Sequence, residues 1–467
     1  MGTLTSLMDL AGQALMADQN ALNITANNVG NQNTPGYTRE VVNWQPTDAV
    51  TLSGTSYSTG ITSTAVSQRD RILEQRVQQQ TQTQSQSGAL ESALQQVQNI
   101  VGLSSTSTSA SSTALGSAVD GFFNSLSTLE GNPSDDSTRQ SVLTAANNLT
   151  SVFNSAANQL AQVGTGLDQQ VGTVVGQVNA LTKTIASLNQ QIASTSTSPS
   201  GDAGALEDQR QLAITQLSQY VGLNQITTES NGITLTTANG AALVSGSQSF
   251  ALSTTSVAGK TDVVAGGVDV TSGLSGGQLG GVLQARDQEL PTYASALDNL
   301  AYGIGTAVNA QNALGTDGNG NLGAAIFSLP ASAPGAATSI QVATSDPHAI
   351  AAAATGQGSS GNGNAVAMAN LATANTVAGQ TATGFLASFL GGIGNDTAGA
   401  TTDNAAQQAT LTQLTSQRNS LSGVSLDEEA SNLTQYQRSY EAAAKVFSIV
   451  DSLMASALNL GVETTVT

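Results

Sequence analysis

The sequence predicts a mainly α-helical protein with a β-rich domain inserted in the middle, and three observations predict it. Near the C-terminus apolar residues recur at alternating steps of three and four from Leu433 to Ala457, the 3.5-residue period of a helix packed along its length against other helices. A matching pattern occupies residues 3–29. Between these ends the period switches to two from about residue 225, with Asn-Gly steps between the runs, which is a hairpin signal.

The N-terminal helix carries two apolar seams. Leu4, Met8, Ala11, Leu15, Leu22 and Val29 lie on one, and Leu7, Leu10, Ala14, Ala17, Ala21 and Ile24 on the next. Two seams make a wide face with nothing nearby in the sequence to bury it. Asp18 falls inside the first seam, where an unpaired carboxylate is costly, so it is expected at the rim or paired with another chain. Gly30 and the turn Asn33-Thr34-Pro35-Gly36-Tyr37 stop the helix.

Residues 37–66 are expected to be extended. A helical pattern then returns with Val66, Leu73 and Val77, passes a glutamine-rich gap, and resumes with Leu90, Leu94, Val97 and Val101. Residues 104–113 read as a low-complexity linker, and 115–129 as a short helix. From Val142 to Ile192 the 3.5-residue period persists through Gly164, Gly166, Gly172 and Gly176. Each glycine costs about 1 kcal/mol relative to alanine, so packing rather than propensity is expected to hold this helix. After residues 194–201 another helix runs over 206–221.

Strands are expected at 225–229, 233–237 and 241–244, joined at Asn231-Gly232 and Asn239-Gly240, with 250–254 and 262–270 continuing the β region. Helices return at 278–290 and 292–314. Residues 315–345 are expected to be irregular or extended, and 349–355, 366–377 and 404–421 helical. The last helix spans 425–460. Ser425 three residues before Glu428 forms a capping box, and Asp427, Glu428 and Glu429 suit the positive end of the dipole. Val446, Leu453 and Leu460 widen its stripe, and Gly461 is expected to end it.

The expected organisation is nested. Residues 1–38 and 424–467 form a coiled-coil-like terminal helical assembly domain. Residues 39–222, 279–314 and 356–423 form a helical core domain, and 223–278 with 315–355 an inserted β-rich outer domain. The candidate assembly interface is Leu4, Met8, Leu15, Leu22 and Ile24 on the first helix. Leu433, Tyr436, Tyr440, Phe447, Val450, Leu453 and Met454 are its counterparts on the last.

Charged residues are 9% of the chain, and 31 acidic against 12 basic residues give a net charge of −19. Such a surface repels phosphate backbones, so nucleic acid is not an expected partner. The absence of cysteine removes disulfides, thiolate metal sites and a cysteine nucleophile. No apolar run approaches bilayer-spanning length, so membrane insertion is not expected. No basic residue precedes Arg39, so the n-region of a secretory signal is missing. The chain is therefore expected either to stay in the cytoplasm or to leave by a route that cleaves nothing.

Residues Asn27-Asn28-Val29-Gly30-Asn31-Gln32-Asn33-Thr34-Pro35-Gly36-Tyr37-Thr38-Arg39 resemble the N-terminal signature of bacterial flagellar axial proteins. The Asn-Thr-Pro-Gly-Tyr-Thr-Arg form is most similar to the hook-associated branch at the hook–filament junction, although Gly30 stands where that family more often has alanine. Ser422-Gly423-Val424-Ser425-Leu426-Asp427-Glu428-Glu429, with Leu433, Tyr436-Gln437, Tyr440, Ala444-Lys445-Val446 and Asp451, is similar to the same family's C-terminus. Asn132-Pro133-Ser134-Asp135, Arg139-Gln140, Asp208-Gln209-Arg210, Gly280-Gly281-Val282-Leu283, Arg286-Asp287 and Ile393-Gly394 agree as well. The resemblance covers nearly the whole chain. It implies a non-enzymatic structural role, joining hook to filament as a ring or helical array of identical subunits on the extracellular flagellum. It also implies type III export without a cleaved signal, and terminal helices poorly ordered in the monomer that form an inner tube on assembly. The implied partners are the protein itself, the hook protein, the next hook-associated protein on the filament side and an export chaperone on the C-terminal helix. A hook- or rod-type axial protein is the alternative within the family, and a secreted effector or adhesin the alternative outside it.

Three motifs look like catalytic or ligand-binding signatures. Gly273-Leu274-Ser275-Gly276-Gly277 fits the G-x-S-x-G elbow with His348 downstream, which would make a secreted hydrolase using Ser275. That fold needs a parallel sheet of buried β-branched runs, which this chain lacks, so a loop is the stronger reading. Gly318-Asn319-Gly320-Asn321-Leu322-Gly323 matches a nucleotide-binding pattern but follows a helix rather than a strand. Asp317, Asn319 and Asn321 begin like a calcium loop, yet Leu322 replaces its glycine and Ser328 its closing glutamate. No catalytic residue, cofactor or metal is expected.

Overall fold

The computed structural model describes residues 2–463 apart from 48, 53, 54, 59, 103–112, 197–202, 228–231 and 359. Helix α1 (Gly2–Gly30) leads through the signature turn into an antiparallel ribbon. In it β1 (Glu40–Pro46) pairs with β4 (Ile61–Ser67), and β2 (Ala49–Leu52) with β3 (Thr55–Ser58). Val66 does not begin the next helix, because it sits in β4 opposite Val41, where exposure alternates residue by residue as in a half-covered strand. The cap is Asp70, whose Oδ1 accepts the amides of Ile72 and Leu73 at 2.9 and 3.1 Å. From there α2 (Arg71–Ile100) runs unbroken through the glutamine-rich stretch.

The linker expected at 104–113 lies, apart from Thr113, outside the described residues. Thr113 Oγ1 caps α3 (Ala114–Gly131) by accepting the Gly116 amide at 3.0 Å. Next comes α4 (Asp136–Ser196), a single helix of 61 residues. Gly166, Gly172 and Gly176 face open space, while Phe153, Val171, Val178 and Ile185 on the same helix are fully buried. Packing on one side therefore offsets the glycine cost, as expected.

Helix α5 (Gly204–Tyr220) precedes two antiparallel sheets. The first follows the chain in order: β5 (Leu223–Thr227), β6 (Ile233–Thr237), β7 (Ala242–Ser245) and β8 (Gln248–Ser249). The second contains β9 (Leu252–Val257), β10 (Lys260–Ala265) and β11 (Val268–Asp269). Asn239-Gly240 makes the turn between β6 and β7 with Gly240 at φ +89°, whereas Asn231 lies outside the described residues. Leu235, Leu243, Val244 and Val263 point from these sheets into the apolar cluster that contains Val178 and Ile185 of α4. Helical core and sheets therefore share one interior.

Helices α6 (Gly277–Gln284) and α7 (Leu290–Asn312) are not separate, as the sequence suggested. One π-helical turn, Ala285–Glu289, joins them into a continuous rod. Pro291 falls in the first turn of α7, and the widened turn accommodates its missing N–H. Four short strands follow: β12 (Gly315–Thr316), β13 (Phe327–Ser328), β14 (Gln341–Val342) and β15 (Ala353–Ala354), with α8 (Ala336–Ser339) before β14.

The helix expected at 349–355 is absent. Ala351, Ala352 and Ala353 are buried, and the Ala351 backbone is taken by side chains: Asn312 Oδ1 accepts its amide at 2.8 Å, and Asn364 Nδ2 donates to its carbonyl at 2.6 Å. The expected 366–377 helix is shorter, α9 (Gly363–Ala369), and a tight turn follows with Ala378 and Gly379 at positive φ.

Helix α10 (Ala382–Ser422) starts well before residue 404, capped by Thr381. Buried Leu386, Phe389, Leu390 and Ile393 compensate for its glycines. It lies along α2 through a seam of neutral amides. Gln80 Nε2 donates to Gln407 Oε1 at 2.7 Å, Gln84 Nε2 to Asn404 Oδ1 at 3.1 Å, and Asn404 Nδ2 to Glu91 Oε2 at 2.6 Å. Helix α11 (Leu426–Glu463) then continues through Gly461 instead of ending there.

Candidate assembly surface

Helices α1 and α11 pair antiparallel. Asn28, near the end of α1, meets Glu429 at the start of α11, and a Cβ at Gly12 would stand 4.0 Å from Phe447. Their buried residues Ala11, Ala17, Ala21, Ile24 and Val450 lie outside the main apolar cluster. The pair is thus a second, smaller packing unit.

A polar lock fastens its inner end. Tyr37 Oη donates to Asn28 Oδ1 at 2.8 Å, and the same oxygen accepts the Glu40 amide at 3.0 Å. Asn28 Nδ2 donates to the Glu40 carbonyl at 2.7 Å and to Glu429 Oε2 at 3.2 Å. Arg39 bridges Glu428 at 2.6 Å and Glu429 at 2.7 Å. The Arg39 amide donates to the Ser422 carbonyl at 2.9 Å, so the turn also grips the end of α10. Gly36 has φ +83°, and a Cβ there would come within 3.1 Å of Leu212, so glycine serves both the turn and the close approach.

The β1–β4 ribbon lies over the helix pair. Ser63 Oγ donates to the Ala17 carbonyl at 3.1 Å, Asn20 Nδ2 donates to the Ser63 carbonyl at 2.9 Å, and Trp44 stacks obliquely on Tyr436 with centroids 6.1 Å apart. This cover corrects the expectation for Asp18, which is buried within the chain rather than at a rim or against another copy. Burial, with the nearby carboxylates of Glu429 and Asp18, pushes the Tyr436 phenol above its ordinary value despite Arg39.

Of the candidate interface residues, Ile24 and Val450 are buried. Leu4, Met8, Leu15, Leu22, Leu433, Tyr436, Phe447 and Met454 are half-buried, and Tyr440 and Leu453 are exposed. In the signature turn Asn33, Thr34 and Pro35 are exposed, and Gly36 and Tyr37 half-buried. The helices also expose Leu7, Leu10, Met16, Val446, Ile449 and Leu458. Met16, Ile449 and Leu458 stood on neither predicted stripe, although scanning the face opposite each seam would have found them. The roles of Asn28, Arg39 and Glu429 were also missed, since a polar pair so distant in sequence leaves no periodic trace.

The look-alike motifs have structural partners. The Ser275 carbonyl accepts the Gly222 amide at 3.0 Å. His348 lies 3.7 Å from Asp136 at the head of α4. Asp317 Oδ1 accepts the amides of Asn319 and Asn321 at 2.9 and 2.8 Å, an Asx-type turn. Among the described residues no helix is long and apolar enough to cross a membrane.

Both ends of the chain are of the flagellar axial class. Residues 8–38 match the family model described as Flagella basal body rod protein, and residues 415–460 match Flagellar basal body rod FlgEFG protein C-terminal. Between them, residues 94–327 match Flagellar hook-associated protein FlgK helical domain. Flagellar hook-associated protein 1 of Bacillus subtilis (strain 168) is 30% identical, with 97% of each chain aligned. That of Escherichia coli (strain K12) is 27% identical, covering 98% of this chain and 100% of its own. The chain belongs to the flagellar hook-associated protein 1 family. The flagellar hook junction protein FlgK from Burkholderia pseudomallei shares the fold, with a TM-score of 0.66 at 20% identity, covering 74% of this chain and 100% of that one.

Proposed function

We infer that this protein is a structural component of the bacterial flagellum that joins hook to filament as an assembly of identical subunits. The observation that carries this reading is the set of apolar side chains left exposed on the paired terminal helices: Leu7 and Leu10 along one face of α1, and Val446, Ile449 and Leu453 along one face of α11, with Met16 and Leu458 exposed elsewhere on the same helices. Covering a large apolar side chain contributes about 1.5–3 kcal/mol, and a heterologous contact repeats that gain with every added subunit. The candidate residues divide accordingly. Ile24, Val450 and the half-buried set hold α1 to α11, while Tyr440 and Leu453 join the exposed set. The terminal, helical core and β-rich outer divisions serve as assembly, spacing and outer surface respectively.

The hook protein lies on one side of the array and the next hook-associated protein on the other. Before assembly an export chaperone covers α11, and the protein is exported to the growing flagellum. A rod- or hook-type role would suit the two terminal matches, but the match over 94–327 favours the junction. The test is deletion of the gene in its own host. Hooks without filaments, and flagellin shed into the medium until the gene is restored, are expected. Normal filaments in the deletion strain would overturn the reading.

A further inference from the structure

The look-alike motif Gly318-Asn319-Gly320-Asn321-Leu322-Gly323 contains one of the chain's four Asn-Gly steps, the others being Asn231-Gly232, Asn239-Gly240 and Asn362-Gly363. Asparagine is a chemically labile residue. Its side-chain amide carbon can be attacked by the next residue's backbone nitrogen, and a following glycine carries no Cβ to obstruct the approach. We propose that Asn319 is a self-modification site, at which the folded chain closes a succinimide onto Gly320 and reopens it as aspartate or isoaspartate. The Gly320 nitrogen gives up its proton as it bonds to Asn319 Cγ, and the side-chain nitrogen takes that proton away as ammonia. Water then opens the imide at either carbonyl, and no oxidant, cofactor or enzyme is required.

Asn231 lies outside the described residues, and the other three asparagines are all exposed, so what separates them is how each side chain is held. Asn239 Oδ1 accepts from Thr237 Oγ1, and the side chain packs so closely on Gly273 that a Cβ there would lie 2.5 Å from Asn239 Nδ2. Asn362 Nδ2 donates to the Glu130 carbonyl at 3.0 Å, and the Gly363 amide is held by Gln357 Oε1 at 3.0 Å. Asn319 is bonded through its backbone amide, to Asp317 Oδ1 at 2.9 Å, and its side chain makes no hydrogen bond to any described residue. Gly320 has φ +83°, and a Cβ there would meet nothing within 4 Å. Its amide reaches the Asp317 carbonyl at 3.2 Å, a longer bond than those at the other two glycines. The side chain is thus free to swing onto its own backbone, and the glycine is open to receive it.

The product falls inside a closed set of bonds. Asp317 is buried, its Oδ1 accepts the Asn321 amide at 2.8 Å, and its own amide donates to the Asn321 carbonyl at 2.8 Å. The Gly318 amide donates to the His348 carbonyl at 2.8 Å. Isoaspartate lengthens the main chain by a methylene between residues 319 and 320, which spoils the spacing of these bonds. Either product also adds a carboxylate two residues from that of Asp317. Conversion therefore unfastens this turn. The proposal does not depend on the flagellar role.

The test is to age the purified full chain in mildly alkaline buffer, digest it, and map the peptides by mass spectrometry with fragmentation that separates aspartate from isoaspartate. A parallel sample is aged in guanidinium chloride sufficient to unfold the chain by far-ultraviolet dichroism. In the folded sample Asn319 should convert about tenfold faster than Asn239 and Asn362, whose side-chain bonds must open first. In denaturant the three rates should agree to within about twofold, because the bonds that separate them are gone. Hydrogen exchange should show the Asn321 amide less protected in converted chains than in unconverted ones. Equal conversion at the three sites in the folded sample, no conversion at Asn319, or an Asn319 lead that persists in denaturant would each overturn the site. An Asn321 amide as protected after conversion as before would overturn its effect on the turn.

Discussion

Arg39 Nε lies 2.7 Å from Glu429 Oε1, an ion pair between the two ends of the chain in which the Glu429 side chain is 2% exposed. Removing one member of such a pair strands the other in a dry site. Arg39→Ala should therefore loosen the terminal pair by about 3 kcal/mol, while joint replacement of Arg39 and Glu429 by Met and Leu should cost far less. Protease clipping of α11, followed with time, reads this directly. Equal clipping in the single and double variants would show that the pair is not what closes the inner end.

Burial raises the Glu74 carboxyl above its ordinary range, against the pull of Arg418 and Arg69. A raised folded value means that the folded chain holds the proton more tightly than the unfolded one. The stabilisation is complete below the unfolded value and is lost as pH climbs through the folded one. Glu74→Gln should thus raise the melting temperature at about pH 8 and change it little near pH 4. A shift of the same size at both pH values would mean that packing, not titration, governs the site.

Leu235 of β6 is fully buried in the cluster that contains Val178 of α4. Leu235→Ala should cost about 2–5 kcal/mol and lower one cooperative transition seen by both far-ultraviolet dichroism and calorimetry. A β region that melts alone while the helices persist would contradict the shared interior. Phe122→Ala, which removes the ring set 5.4 Å from Phe327 and 5.6 Å from Phe123, should cost about 3–5 kcal/mol by the same cavity argument.

Phe447 and Leu453 separate internal packing from assembly. Phe447 is half-buried beside Gly12, whereas Leu453 is 51% exposed. Leu453→Asp should change monomer stability by no more than about 0.5 kcal/mol and still block filament growth when purified protein and flagellin are added to isolated hooks. Phe447→Asp should weaken both. Normal growth with Leu453→Asp would remove the exposed set from the assembly surface.

What could be read from the sequence was whatever repeats. The 3.5-residue period located α1, α4 and α11, and the period of two located β6 and β7, because a continuous buried face imposes a continuous pattern. The failures occurred where non-local partners overruled local preference. The alanines at 349–355 favour helix by propensity, but Asn312 and Asn364 hold the Ala351 backbone extended. Val66 continued a helical spacing by chance and is a strand residue because Val41 lies opposite. Asp18 looked misplaced until the ribbon that covers it was in view. Asn28 and Glu429 are 401 positions apart, beyond the reach of any window.

The amide seam between α2 and α10 fixes how that contact answers to salt and acid. Glutamine and asparagine neither titrate nor carry a charge for salt to screen. The contacts Gln80–Gln407 and Gln84–Asn404 should therefore keep their strength in fresh water, in brine and in acid. Glu91 is the one carboxylate in those bonds. Ionic ties respond to such changes, so the Arg39–Glu429 pair at the inner end of the terminal helices and these amide contacts differ in kind. Along the α2–α10 contact charge enters at Asn404–Glu91 and at Arg418–Glu74, and the amide-to-amide bonds between them are the part indifferent to the surroundings.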